Sequence, residues 1–174
     1  PEAEPDPAVF HELGDLLFTV VNVARRLNVD PELALRTTTK RFTERVEAAA
    51  ALAVGLKFRN AGQVCASPSR FFIHSDIYDE FAQRFVELSR AIKVGGGFEA
   101  ASQMGPLANA RRLEAVAELV QDAKDKGASV LSGGSRIGSV GNFFEPTVLG
   151  DVPATARLLT EEPFGPVAPL LRFD

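Results

Sequence analysis

The strongest constraint on the fold is a change in the spacing of apolar residues partway along the chain. Phe10, Leu13, Leu17, Val20, Val21, Ala24 and Leu27 recur every three or four positions, which lays one apolar stripe along a helix. Asp6-Pro7 stands in front of this stripe as an N-cap followed by proline at the first helical position. Arg25 and Arg26 sit at the other end, where cations suit the helix dipole. Asp30-Pro31 repeats the start signal. The helix it opens contains Thr37, Thr38 and Thr39, which are poor interior residues, so it either continues through the alanine-rich VEAAAALAV to Phe58 or breaks and restarts.

Beyond Cys65 the pattern alternates. RFFIH, residues 70–74, reads as a short buried strand, and Asp76 as the cap of a helix with Ile77, Phe81, Phe85, Leu88 and Ile92 inward. VGGGFEA is a loop. Pro106 opens a helix running to Lys126, with Leu113, Val116, Ala117, Val120 and Ala123 on its inner face and Gly127 ending it. ASVLSGG gives a strand and a turn. FFEPTVLGDV and PVAPLLRF give two more strands, in which Pro146 and Pro169 indicate edges or interruptions. Strands alternating with long helices place the chain in the α/β class. The boundary falls near Val46, between an all-helical segment at 1–45 and an α/β body at 46–174.

A net charge of −4 offers no basic surface for a nucleic acid polymer or an anionic membrane. Apolar residues make up 45% of the 174, and a chain of this size buries roughly 70% of its unfolded surface, enough for a core. No apolar run is long enough to cross a bilayer, and no basic-then-apolar leader is present. The single cysteine can form no internal disulfide, so a reducing, cytoplasmic setting is expected. The start at Pro1 rather than Met leads to the expectation of a longer parent chain.

That cysteine, Cys65, lies in KFRNAGQVCASPSRFF, with Gly62-Gln63 before it and Ser67-Pro68 after it. Lone cysteines are most often small buried hydrophobes. Here the small and polar neighbours allow an exposed loop whose backbone amides are free. A thiolate in such a loop can attack a carbonyl while the amides hold the resulting oxyanion. Neither His11 nor His74 lies near it in sequence, and both read as surface or strand-end residues. EEPFGP, residues 161–166, reads by itself as a solvated turn bounded by prolines. Glu12 and Asp15, three apart, share a helix face. They are either a solvated acidic patch or a partial site for a hard cation that keeps several waters.

KFRNAGQVCASPSRFFIHSDIYDEFAQRFV closely resembles the active-site cysteine segment of the NAD(P)-dependent aldehyde dehydrogenases. QMGPLANARRLEAVAELVQDAKDKGASVLSGG, FFEPTVL and EEPFGPVAPLLRF resemble the segments that follow it in that family, in the same order. The resemblance implies an incomplete aldehyde dehydrogenase catalytic domain over 46–174, with Cys65 as nucleophile. Glu162 would bind the nicotinamide ribose of NAD or NADP, and Phe164 would pack near the nicotinamide ring. The flanks of Cys65 resemble the semialdehyde branch. The family's E-L-G-G glutamate base, its glycine-containing cofactor turn and its oxyanion asparagine are not recognisable. Glu12-Leu13-Gly14 lies too far from Cys65 and within a helical pattern to stand in for the first. The expected partners are a small-molecule aldehyde and other copies of the chain, as a homo-oligomer or through association of exposed apolar surface.

The helical segment 1–45 is similar to the C-terminal part of MazG-type nucleoside triphosphate pyrophosphohydrolases. That resemblance implies a helical hairpin on which Glu12 and Asp15 help to bind Mg²⁺. The chain is then expected to be a fusion, or a non-catalytic remnant of one.

Overall fold

The computed structural model describes residues 6–174, and the chain divides into two compact units, Pro1–Arg45 and Val46–Asp174. In the first unit Asp6 Oδ1 accepts from the Ala8 N–H at 2.9 Å and starts helix α1 (Pro7–Arg26). Asn28 takes a left-handed φ of 55°, and the Val29 N–H returns to the Ala24 carbonyl at 2.9 Å, closing the helix end. Asp30 Oδ1 then accepts from the Leu33 N–H at 3.0 Å and starts α2 (Pro31–Phe58). The three threonines do not break α2. Thr37 and Thr39 donate their hydroxyls to the Leu33 and Leu35 carbonyls at 2.7 and 3.1 Å, so these polar groups are satisfied within the helix. No residue of α1 is buried, although it carries Phe10, Leu13, Leu17 and Phe18.

The second unit is built on a four-stranded sheet of order β1-β4-β3-β2. The strands are β1 (Phe71–His74), β2 (Ser129–Ser132), β3 (Thr147–Gly150) and β4 (Val167–Phe173). β4 runs parallel to both β1 and β3, and β2 is antiparallel to β3. Helices α3 (Ser75–Arg90) and α4 (Ala110–Asp125) complete the unit, and α3 contacts all four strands. Val148, Leu149, Val167, Ala168 and Leu170 on the sheet pack with Phe85, Val116, Val120 and Ala123 on the helices into one core. Val46, Ala50, Val54 and Phe58 of α2 join it. Phe85 sits at the centre of an aromatic cluster, with ring centroids 5.1 Å from Phe71, 5.8 Å from Phe81 and 6.1 Å from Phe58.

Three local expectations are corrected. The residue that caps α3 is His74, not Asp76: the His74 imidazole accepts from the Asp76 N–H at 3.3 Å. The helix expected to open at Pro106 starts at Ala110. The Leu107 and Ala108 amides are turned outward to Asn142 and Gln63, and Asn109 Oδ1 then caps the Arg112 N–H at 2.9 Å. Of the two readings of the prolines, the sheet edge is excluded because β3 and β4 are the inner strands, while a break in pairing fits Pro169. Pro146 immediately precedes β3. Pro169 falls where the ladder to β3 ends and the ladder to β1 begins, so its missing donor disrupts little pairing.

Candidate active site

The cysteine loop begins where α2 runs out. A 3-10 turn, Arg59–Gly62, follows Phe58, and within it Asn60 and Ala61 take left-handed φ values of 50° and 53°. Gly62 continues at +70°, and this run reverses the chain. The Asn60 side chain supports its own strained backbone by donating to the Gln63 carbonyl at 3.1 Å. The next four residues form a turn closed by the Ser67 N–H on the Val64 carbonyl at 2.9 Å, with Cys65 and Ala66 exposed at its corner. Among the described residues no acceptor meets the Cys65 or Ala66 amide. Both ends of the turn are tied down. Ser67 Oγ donates to the Lys57 carbonyl at 3.3 Å, and Gln63 hydrogen-bonds the backbone at Pro106 and Ala108.

A second loop lies against the first. Arg157 grips Glu161 with two bonds of 2.7 and 3.0 Å, and its N–H donates to Asp122 of α4 at 2.8 Å. These hydrogen bonds hold the Glu161 carboxyl below the usual carboxylate range. Asp122 is held low in the same way, by Lys126 and then by the Arg157 amide. Glu162 is exposed and, among the described residues, has no hydrogen-bonding or ion-pairing partner. Phe164 is half-buried with φ of 39°. Gly165 is buried so tightly against α4 that a Cβ there would lie 2.4 Å from Val116 Cγ2. The loops meet at two glycines: a Cβ on Gly62 would lie 2.2 Å from the Gly165 carbonyl oxygen. Cys65, Glu162 and Phe164 are thus carried on two loops in backbone contact.

Two neighbouring residues were not singled out in the sequence. Lys57, on the last turn of α2, is 1% exposed, and burial lowers its ammonium pKa to about 8 despite the attraction of Glu162. Its position continues the stripe Val46, Ala50, Val54, and a lysine on such a stripe is a readable signal. Gln63 carried no signal beyond its place two before the cysteine. Glu12 and Asp15 both lie exposed on α1. Among the described residues, no group of three or more His, Cys, Asp or Glu side chains is placed to hold a metal ion. No helix among them is long and apolar enough to cross a membrane.

A mixed α/β domain that presents a thiol on an exposed turn beside a glycine-packed acidic loop belongs with solved dehydrogenase structures. The succinate-semialdehyde dehydrogenase of Burkholderia pseudomallei superposes on 74% of the chain with a TM-score of 0.72 at 42% identity, over 27% of its own length. A 3,6-anhydro-L-galactose dehydrogenase solved in complex with NAP matches 74% of the chain and 28% of its own length, with a TM-score of 0.71 at 44% identity. Residues 43–174 match the aldehyde dehydrogenase family, and the chain belongs to that family. A probable succinate-semialdehyde dehydrogenase [NADP(+)] of Sinorhizobium fredii is 52% identical over 129 residues, 74% of this chain and 26% of that protein. The mitochondrial succinate-semialdehyde dehydrogenase of Rattus norvegicus is 47% identical over 130 residues, 74% of this chain and 25% of that protein. The chain therefore spans about a quarter of the length of these relatives.

Proposed function

We propose that this chain carries the nucleophile of an aldehyde dehydrogenase that oxidises a semialdehyde to a carboxylic acid with NAD(P)⁺. The observation that carries the reading is the exposed Cys65 thiol on a turn whose corner amides meet no acceptor among the described residues. The Cys65 thiolate adds to the carbonyl carbon, forming a C–S bond, and the π pair moves to oxygen. The Cys65 N–H supplies part of the stabilisation of that oxyanion. Bound NAD(P)⁺ is the acceptor of the hydride lost on oxidation. The acyl group is then released from Sγ to water as the acid, and the thiol is regenerated.

Of the cofactor, the residues present fit only the nicotinamide-ribose end. Glu162 has a carboxylate with no partner among the described residues, able to accept from ribose hydroxyls, and Phe164 offers a half-buried ring beside it. The choice of a semialdehyde rests on the relatives, several of which are succinate-semialdehyde dehydrogenases. With no E-L-G-G glutamate and no dinucleotide turn recognisable in the sequence, the 174-residue chain by itself adds aldehyde at Cys65 but sustains little or no NAD(P)H production. The setting is cytoplasmic, and the chain associates with its own copies through exposed apolar surface.

The test is carbon NMR with a carbonyl-labelled semialdehyde. A hemithioacetal signal is expected for the wild type and none for Cys65→Ala. A wild type without the signal refutes the nucleophile. Steady NADH production that disappears in Cys65→Ala would refute the statement about turnover. The MazG-type reading of residues 1–45 rests on sequence resemblance, with Glu12 and Asp15 as a two-carboxylate magnesium site. Pyrophosphate release from a nucleoside triphosphate during magnesium titration tests it, and no release at saturating metal ends it.

A further inference from the structure

One end of the Cys65 turn is anchored by a side chain that the chemistry above does not use. Gln63 presents an acceptor and a donor on one planar head, and the structure employs both. Its Oε1 accepts from the Ala108 N–H at 2.9 Å. Its Nε2 donates to the Asn60 carbonyl at 3.2 Å and, over a longer 3.4 Å, to the Pro106 carbonyl. Its own N–H and C=O are taken by the Asn60 carbonyl at 3.0 Å and the Asn60 side chain at 3.1 Å.

Two of these bonds, to Ala108 and Pro106, leave the cysteine loop and reach one segment; the others stay with Asn60 inside the loop. Ala108 and Pro106 belong to the segment that leads into α4, whose start is fixed by the Asn109 cap. The acidic loop rests on the same helix through Gly165 against Val116 and through Arg157 on Asp122. Helix α4 is therefore a shared platform for both loops. The side chains nearest to glutamine in size or chemistry do not reproduce its contacts. Glutamate keeps the acceptor but turns a second oxygen on two carbonyls. Asparagine is one methylene too short, and leucine or methionine leaves the Ala108 amide without its partner.

We propose that Gln63 is a positioning residue: it locks the Cys65 turn to the entry of α4, so that the corner amides are held in place before a carbonyl arrives. This rests on the reading of Cys65 as a nucleophile toward aldehydes. It adds that the direction of the oxyanion donors, rather than the exposure of the thiol, depends on Gln63.

The experiment compares two reactions of the same sulfur in the full chain. Hemithioacetal formation develops an oxyanion, whereas alkylation by iodoacetamide displaces iodide at a saturated carbon and develops none. In Gln63→Ala the association constant for a carbonyl-labelled semialdehyde should fall roughly five- to ten-fold. The alkylation rate should stay within about two-fold, because the thiol remains exposed at the corner of the turn. Amide exchange at Ala108 should speed up by an order of magnitude or so, while the amides of α3 keep their protection.

An unchanged aldehyde constant overturns the inference, as does a parallel fall in both reactions or unchanged exchange at Ala108. A wild type that binds no aldehyde overturns the nucleophile reading and takes this inference with it. A wild type that binds aldehyde as tightly as Gln63→Ala overturns this inference alone. If Gln63→Ala fails to fold, Gln63→Glu decides: it keeps the Ala108 bond but sets an oxygen against the Asn60 and Pro106 carbonyls. An intermediate loss of aldehyde binding with unchanged alkylation supports the clamp, and no loss overturns it.

Discussion

Lys57→Met should make the protein more stable at neutral pH. Lys57 is 1% exposed on the last turn of α2, and burial brings its pKa from 10.5 down to about 8, with Glu162 pulling weakly the other way. The sign is the reverse of that for a lysine gaining a partner. The unfolded chain holds the proton up to about pH 10.5, the folded chain only up to about pH 8, so unfolding takes up a proton between those values. Stability from this group therefore rises with pH across that window, and below about pH 8 the full penalty is present. The gap between the two values corresponds to roughly 3 kcal/mol. Methionine keeps most of the stem volume and removes the charge, so a large part of that roughly 3 kcal/mol should appear as added stability at pH 7.

The chain has no tryptophan and one tyrosine, Tyr78 of α3, so tyrosine fluorescence during urea unfolding reports on the second unit. The variant's advantage should be largest at pH 7 and shrink steadily by pH 9.5. Tyr78 itself is pushed above its usual pKa, first by burial, so its own contribution is lost as pH rises past 10. Both proteins share it, and it cancels in the difference. Parallel stability curves, or a Lys57→Met protein no more stable than wild type at pH 7, would refute the reasoning.

Other substitutions probe the packing. Gly62→Ala places a methyl on the Gly165 carbonyl at a φ of +70°, and should lower stability by more than about 2 kcal/mol in urea unfolding. A neutral result would mean that the two loops do not depend on this close approach. Phe85→Ala empties the aromatic cluster at a position with no exposure and should cost about 3–5 kcal/mol, read from the urea midpoint and slope. Leu17→Glu combined with Phe18→Glu charges a helix face that is 58% and 70% exposed at those residues. Sedimentation should then show less self-association than wild type, and identical profiles would remove α1 as the associating surface.

Much of the local structure was legible because its causes lie within a turn of the residue concerned. Asp6 and Asp30 announce the starts of α1 and α2 through bonds to amides two and three residues on. Of the inward positions read for α3 and α4, Phe81, Phe85, Leu113, Val116, Val120 and Ala123 are buried, and Ile77, Leu88, Ile92 and Ala117 are half-buried against the core. The loop around Cys65 was readable from its small and polar neighbours, and the thiol is exposed.

What escaped depended on partners distant in sequence. The helix expected from Pro106 starts later because the Ala108 amide finds Gln63, 45 residues away. Pro169 lies in an inner strand because β4 changes partners there, which no local pattern encodes. Lys57 is buried although its residue type favours the surface, and the contact between Gly62 and Gly165 joins loops about a hundred residues apart. Propensity and capping act over one helical turn, so they can be read along the chain. Burial, strand order and loop-to-loop registry arise only when chain folding brings remote groups to within bonding distance.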